Sequence, residues 1–63
     1  MWCLMKNIND AEYYYKGKAQ PNSAEAWTNI LSEAKRFTWE QAVNMREWVS
    51  AHTNGSPIQR VKS

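Results

Sequence analysis

Sixty-three residues with four Trp, three Tyr and one Phe are enough for one domain, 1–63, because a chain of about this size buries only roughly 60% of its unfolded surface and needs its aromatics to fill a single core. One Cys and one His exclude an internal disulfide and a four-ligand structural zinc site, and point to a reducing, cytoplasmic compartment. Eight Lys and Arg against six Asp and Glu, a net charge of +2, are too evenly balanced for a phosphate-tracking protein and argue against an acidic nucleic-acid mimic.

The N-terminal stretch "WCLMKNINDAEYYYKG" consists of two apolar runs around Asn9-Asp10, residues that tolerate positive φ and suit a two-residue hairpin loop. With those two in the loop, Ile8 pairs with Ala11, Lys6 with Tyr13, Leu4 with Tyr15 and Trp2 with Gly17. Trp2, Leu4, Ile8, Tyr13 and Tyr15 then share the face expected in the core. Cys3, Met5, Asn7, Glu12, Tyr14 and Lys16 form the opposite face, which reads as mixed surface. "MWCLM" is far shorter than the roughly 20 residues of a membrane span and lacks a preceding basic region, so neither a signal peptide nor a membrane segment is expected.

"KGKAQPNS" concentrates Gly, Pro, Asn and Ser and reads as a loop. From 24 to 37 two readings stand. Trp27, Ile30, Leu31, Ala34 and Phe37 recur at helical intervals behind Ser23 as N-cap, which fits a long helix. The rival is a third strand around Trp27, one turn at "LSEA" and a short strand at "KRF".

Thr38, followed three residues on by Gln41, is a capping box and starts a helix from Trp39 to about Ala51, so that the helix with its caps covers about 38–52. Trp39, Ala42, Val43, Met45 and Val49 fall on its inner arc and Glu40, Asn44, Glu47 and Ala51 opposite. "TNGSP" ends it, with Asn54 or Gly55 able to take the left-handed conformation. "PIQRVK" is a short last strand starting at Pro57 and anchored by Ile58 and Val61. The expected fold class is α+β: a small antiparallel sheet, made of the hairpin and short strands, with one main helix packed on one face.

The order "YYYKGK", Trp27, "LSEAKRFT", a helix and a terminal "IQRVK" resembles small phage and prophage proteins of the "G…W…LxxAKRFTxxxA" type. The resemblance rests on Tyr13 to Gly17, Trp27, Leu31, Ala34 to Thr38, Ala42 and Val61. It implies that "AKRF" returns the chain to the sheet and hands it to the helix, with Ala34 and Phe37 buried and Lys35 and Arg36 exposed. The insertion "AQPNSAEA" departs from the commoner pattern and bears on the third strand. The resemblance also implies a phage or mobile-element origin, where small proteins block or redirect host machinery, a defence-system nuclease (the anti-CRISPR type) being one target among several.

No catalytic constellation is expected. Cys3 and His52 could be a nucleophile and base only with a third orienting group that the sequence does not supply; the plainer reading is a structural Cys and a His at a helix end, interacting with its dipole. Trp48 lies off the inner arc between Asn44 and His52, beside Met45. Trp is enriched at interface hot spots and Met adapts to its neighbours, so Met45, Trp48 and His52 form the expected partner-contact patch. The competing reading folds Trp48 under the 17–30 segment. Tyr14 is a further docking candidate, and Lys16, Lys18, Lys35 and Arg36 complete the contact set as a steering rim for acidic or nucleic-acid-facing surfaces, Lys35 and Arg36 having the plainer reading of solvated charges. The expected function is therefore a cofactor-free, non-enzymatic binding module, monomer or homodimer, acting by steric occlusion of a larger host protein or nucleoprotein complex. A single-stranded nucleic-acid binder is the alternative, since aromatics beside Lys16 and Lys18 could stack bases.

Overall fold

A computed structural model describes residues 1–53, 55 and 57–62. Strand β1 (Trp2–Ile8) and strand β2 (Ala11–Tyr15) form the hairpin, with Asn9 at φ 51° and Asp10 at φ 68° in its loop. Two consecutive left-handed residues give a turn whose twist matches that of the strands, and this fixes the register Ile8↔Ala11, Lys6↔Tyr13 and Met5↔Tyr14. Strand β3 (Trp27–Thr28) pairs with β2, and strand β4 (Gln59–Lys62) pairs with β1, giving an antiparallel sheet in the order β3-β2-β1-β4. Helix α1 (Trp39–Ala51) packs on β1 and β4. The fold class is thus α+β, a four-stranded antiparallel sheet with one helix on one face.

Trp2 departs from the expected pairing with Gly17. Its N–H donates to the Phe37 carbonyl and its carbonyl accepts from Phe37 N–H, both at 2.7 Å. The chain leaves β2 after Tyr15, where Lys16 N–H turns to the Ala26 carbonyl, and Lys35 N–H comes in to the Tyr15 carbonyl. "AKRF" therefore fills the vacated place beside β1, with Ala34 and Phe37 buried and Lys35 and Arg36 exposed. Gly17 makes this crossing feasible. It sits at φ +77°, and a Cβ there would lie 2.6 Å from Cδ of Lys35, whose stem runs across it.

Residues 24–37 are not a long helix. Ser23 caps only a 3₁₀ turn, Ala24–Ala26, by accepting from Glu25 N–H at 3.3 Å. The chain then extends through β3 into a second turn, Leu31–Glu33. Thr28 fixes that path: its Oγ1 accepts from Ile30 N–H and donates to the Glu33 carboxylate, each at 3.1 Å. Such side-chain bonds offer the backbone a local alternative to helix. Trp27 is drawn into the core, its ring 5.6 Å from that of Tyr15, and its Nε1–H donates to the buried Pro21 carbonyl at 2.7 Å.

The core lies between the sheet and α1 and comprises Leu4, Tyr15, Ala26, Trp27, Phe37, Ala42, Val49 and Ile58, with Trp2, Tyr13 and Met45 packed against it. Leu4 and Val49 are fully buried, each a contribution of about 1.5–3 kcal/mol of transfer free energy. Ile8 was expected in this core and is 40% exposed, at the hairpin tip. Trp39, placed on the inner arc, is 50% exposed at the first turn of α1. Cys3 and Met5 correct the reading of the opposite face as surface, for both are buried. They occupy the central strand, so neighbours flank them on two sides: Val61 beside Cys3, and Tyr14 and Gln59 beside Met5.

Thr38 closes the expected capping box: Oγ1 accepts from Gln41 N–H at 3.2 Å, and Gln41 Oε1 accepts from Thr38 N–H at 3.1 Å. At the other end Gly55, at φ +74°, donates its N–H to the Ser50 carbonyl at 2.9 Å. Its rival Asn54 lies outside the described residues. Ile58 anchors the return as a buried residue just before β4, which begins at Gln59 rather than at Pro57, and Val61 is half-buried.

Candidate functional site

Helix geometry puts Gln41, Met45, Trp48 and His52 on one stripe, at spacings of four, three and four residues. The N-terminal half of the stripe faces the "AKRF" segment. Gln41 and Met45 share an open concavity of about 270 Å³ with Lys35 and Phe37. Lys35 therefore joins the patch, although 10 residues of sequence separate it from Met45; the Trp2–Phe37 bridge brings it there.

Trp48 is 42% exposed and does not fold under the 17–30 segment. It is nonetheless held. Its ring stacks on His52 at a centroid distance of 4.5 Å, and Nδ1 of His52 lies 2.8 Å from the Trp48 carbonyl oxygen, an acceptor that orients the imidazole with Nδ1–H donating. His52 N–H also reaches that carbonyl, at 3.1 Å. An indole oriented in this way loses less side-chain entropy on docking than a free one. Met45 is half-buried, one edge in the core and the other in the concavity.

The other expected contact residues are not brought into this patch as a group. Tyr14, half-buried, lies on the sheet face away from α1, between Met5 and Thr28. Lys16, half-buried, ends the hairpin, Lys18 is exposed in the following loop, and Arg36 is exposed one residue before Phe37. Lys35 crosses Gly17, so the two lysines flanking Gly17 lie close to its path.

Cys3 is fully buried near the start of β1, while His52 is exposed at the end of α1, so the two do not form a nucleophile–base pair. Among the described residues no three of His, Cys, Asp and Glu lie close enough to hold a metal ion. No helix there is long and apolar enough to cross a membrane.

Two features escaped the sequence pattern. Trp39 rests edge-on against Trp2, with centroids 4.7 Å apart, and carries the Arg60 guanidinium over its ring at 4.7 Å. Lys6 holds its ammonium 4.2 Å from the Trp27 centroid, and burial there pushes its pKa below the ordinary lysine value. Strand alternation could have placed Lys6 on the core face, since it lies between Leu4 and Ile8; only the fold of 17–28 supplies its aromatic cover. No family model matches the chain, and neither a curated protein nor a solved structure shows significant similarity to it.

Proposed function

We propose that the chain is a non-catalytic protein-binding module that docks through the Met45–Trp48–His52 stripe, with Lys35 on its rim, and acts by covering part of a larger protein. The observation that carries this reading is Trp48, a large indole left exposed but stacked in place by His52. Trp and Arg anchors surrounded by weaker contacts dominate most protein interfaces, and Met supplies an adaptable neighbour. The resemblance to small phage proteins makes a host protein, such as a defence-system nuclease, the expected class of target, with a cytoplasmic site of action.

Immobilised wild-type protein, Trp48→Ala, Lys35→Glu and Tyr14→Ala are compared for stoichiometric capture of a partner from bacterial lysate, followed by titration of that partner once purified. Wild type and Tyr14→Ala should bind alike, Trp48→Ala should weaken binding by about 2 kcal/mol or more, and Lys35→Glu should slow association. Equal binding by wild type and Trp48→Ala would remove the stripe from the interface.

A second reading is favoured by one observation: the Lys35 stem crosses Gly17, which Lys16 and Lys18 flank in sequence, a basic rim that single-stranded nucleic acid could follow. Against it, Tyr15 is buried and Tyr13 and Tyr14 are half-buried, which leaves little aromatic platform for bases. Anisotropy with labelled single strands tests it. Binding that falls steeply with salt and disappears in Lys16→Ala/Lys18→Ala would put this reading first.

A further inference from the structure

Among the described residues the sheet ends on β4, and the register fixes which of its backbone groups point away from β1. Trp2 exchanges both of its backbone hydrogen bonds with Phe37, so its N–H and C=O point away from β4. Its partner across β4, Lys62, is therefore in a non-hydrogen-bonded pair, and so is Arg60 opposite Leu4. The N–H and C=O of Arg60 and Lys62 consequently face outward from the free edge. Their side chains lie on the α1 face of the sheet, as Trp2 and Leu4 do. Val61, between them, lies on the other face beside Cys3.

Alongside this edge, α1 and the chain leading into β4 bound an open groove of about 590 Å³, lined by Arg46, Glu47, Ser50, Ala51, Pro57, Ile58 and Gln59. Nε of Arg46 is buried and has no hydrogen-bond partner among the described residues. Farther along, Arg60 lies over Trp39. Arg46 and Glu47 thus lie in the groove, while Arg60, over Trp39, and Lys62 share the α1 face of the edge strand by register.

The geometry points to the β4 edge as a docking site for an extended acidic peptide that adds a fifth strand, with carboxylates at every second residue. In an antiparallel addition, the residues opposite Arg60 and Lys62 exchange backbone bonds with them and put their side chains on the same face, against the two cations and the Trp39 ring. The alternate residue falls opposite Val61 and is best apolar. A second copy of the chain is disfavoured, because antiparallel β4 pairing sets Arg60 and Lys62 against the same cations of its partner, and like charges placed directly opposite destabilise a sheet. A nucleic-acid strand would satisfy the charges but has no alternating amide donors to match the outward carbonyls.

The probe is a short fluorescein-labelled peptide alternating glutamate and valine, read by anisotropy at low salt. The counterpart alternating lysine and valine should bind at least about tenfold more weakly. N-methylation of the glutamate amides should abolish binding, whereas N-methylation of the valine amides should leave it nearly unchanged. Arg60→Glu/Lys62→Glu should reverse the preference between the two peptides, and Trp48→Ala should leave it untouched, so this surface and the helix stripe fail independently. Equal affinity for both peptides, or indifference to the position of N-methylation, would overturn the proposal. Displacement of the peptide by oligo-dT more readily than by unlabelled peptide would assign the edge to phosphate. Sedimentation as a dimer that the charge reversal dissociates would assign it to a second copy.

Discussion

Trp27 and Trp48 are the same side chain in opposite circumstances. Trp27 sits in a strand of only two residues, yet it is buried, its N–H donates to the Pro21 carbonyl, and Lys6 covers its face. Trp48 sits in a regular 13-residue helix, yet much of its ring meets solvent. Regularity of the local backbone therefore does not decide burial here. What decides it is whether long-range contacts close over the ring and whether its polar atom finds an acceptor. The 17–28 segment does both for Trp27. Trp48 instead stays 42% exposed, with His52 a turn away against its ring.

The strongest way to break this contrast is Trp27→Ala, which should cost about 3–5 kcal/mol by leaving a cavity against Tyr15 and Lys6. In a chain of this size that is much of the total stability. Urea denaturation followed by far-UV circular dichroism measures it. A loss below about 1 kcal/mol would mean that the 17–28 segment closes over nothing essential.

Trp27→Phe sharpens the polar half of the argument, since it keeps a ring but strands the buried Pro21 carbonyl. The expected loss is about 1–3 kcal/mol, the cost of an unmade buried bond, and hydrogen exchange in residues 20–27 should speed up. A variant as stable as wild type would show that packing alone holds the indole.

Lys6 gives a smaller, pH-dependent test. Its pKa is lowered by burial, so between the folded and unfolded values the native state binds fewer protons than the unfolded chain. Stability from this group therefore rises with pH and levels off near the ordinary lysine value of 10.5. Tyr15 acts in the opposite sense: burial raises its pKa above 10.0, so the native state keeps a proton that the unfolded chain releases, and stability falls as pH rises past that value. Subtracting the Lys6→Met profile from wild type cancels the Tyr15 part and isolates the rising limb. A flat difference between neutral pH and 10.5 would show that Lys6 is as solvated as in the unfolded chain.

How far the sequence led follows from how local each determinant was. Asn9-Asp10 and the Thr38/Gln41 box act within four residues, and both formed as read. Alternation also put Leu4 and Tyr15 inside correctly. It gave direction but not extent, so it could not show that Ile8 overruns the end of the core, just as the helical wheel could not show that Trp39 begins outside it. Cys3 and Met5 are buried because β1 is central, which depends on β4 arriving from the far end of the chain. Within the candidate site, Trp48 was legible from the helical wheel alone. That Lys35 shares a concavity with Met45 was not legible, because it depends on the long-range bonds of Phe37 to Trp2 and of Lys35 to Tyr15.

The smallest expected effect on stability is the most telling for function. Trp48→Ala removes a ring that lies against His52, and the backbone bond from His52 to the Trp48 carbonyl survives the substitution. The change in unfolding free energy should stay within about 0.5 kcal/mol, as at most surface positions away from caps and cores. Helix propensity tilts the result toward stabilisation, because Ala favours helix more than Trp does. Val49→Ala, one residue on and fully buried, is the matched control and should lose about 1–3 kcal/mol in the same denaturation series. If Trp48→Ala falls as far as Val49→Ala, the indole belongs to the core and the contrast with Trp27 collapses. If it holds, Trp48 contributes little to stability, and partner capture by the same variant becomes a test of binding alone.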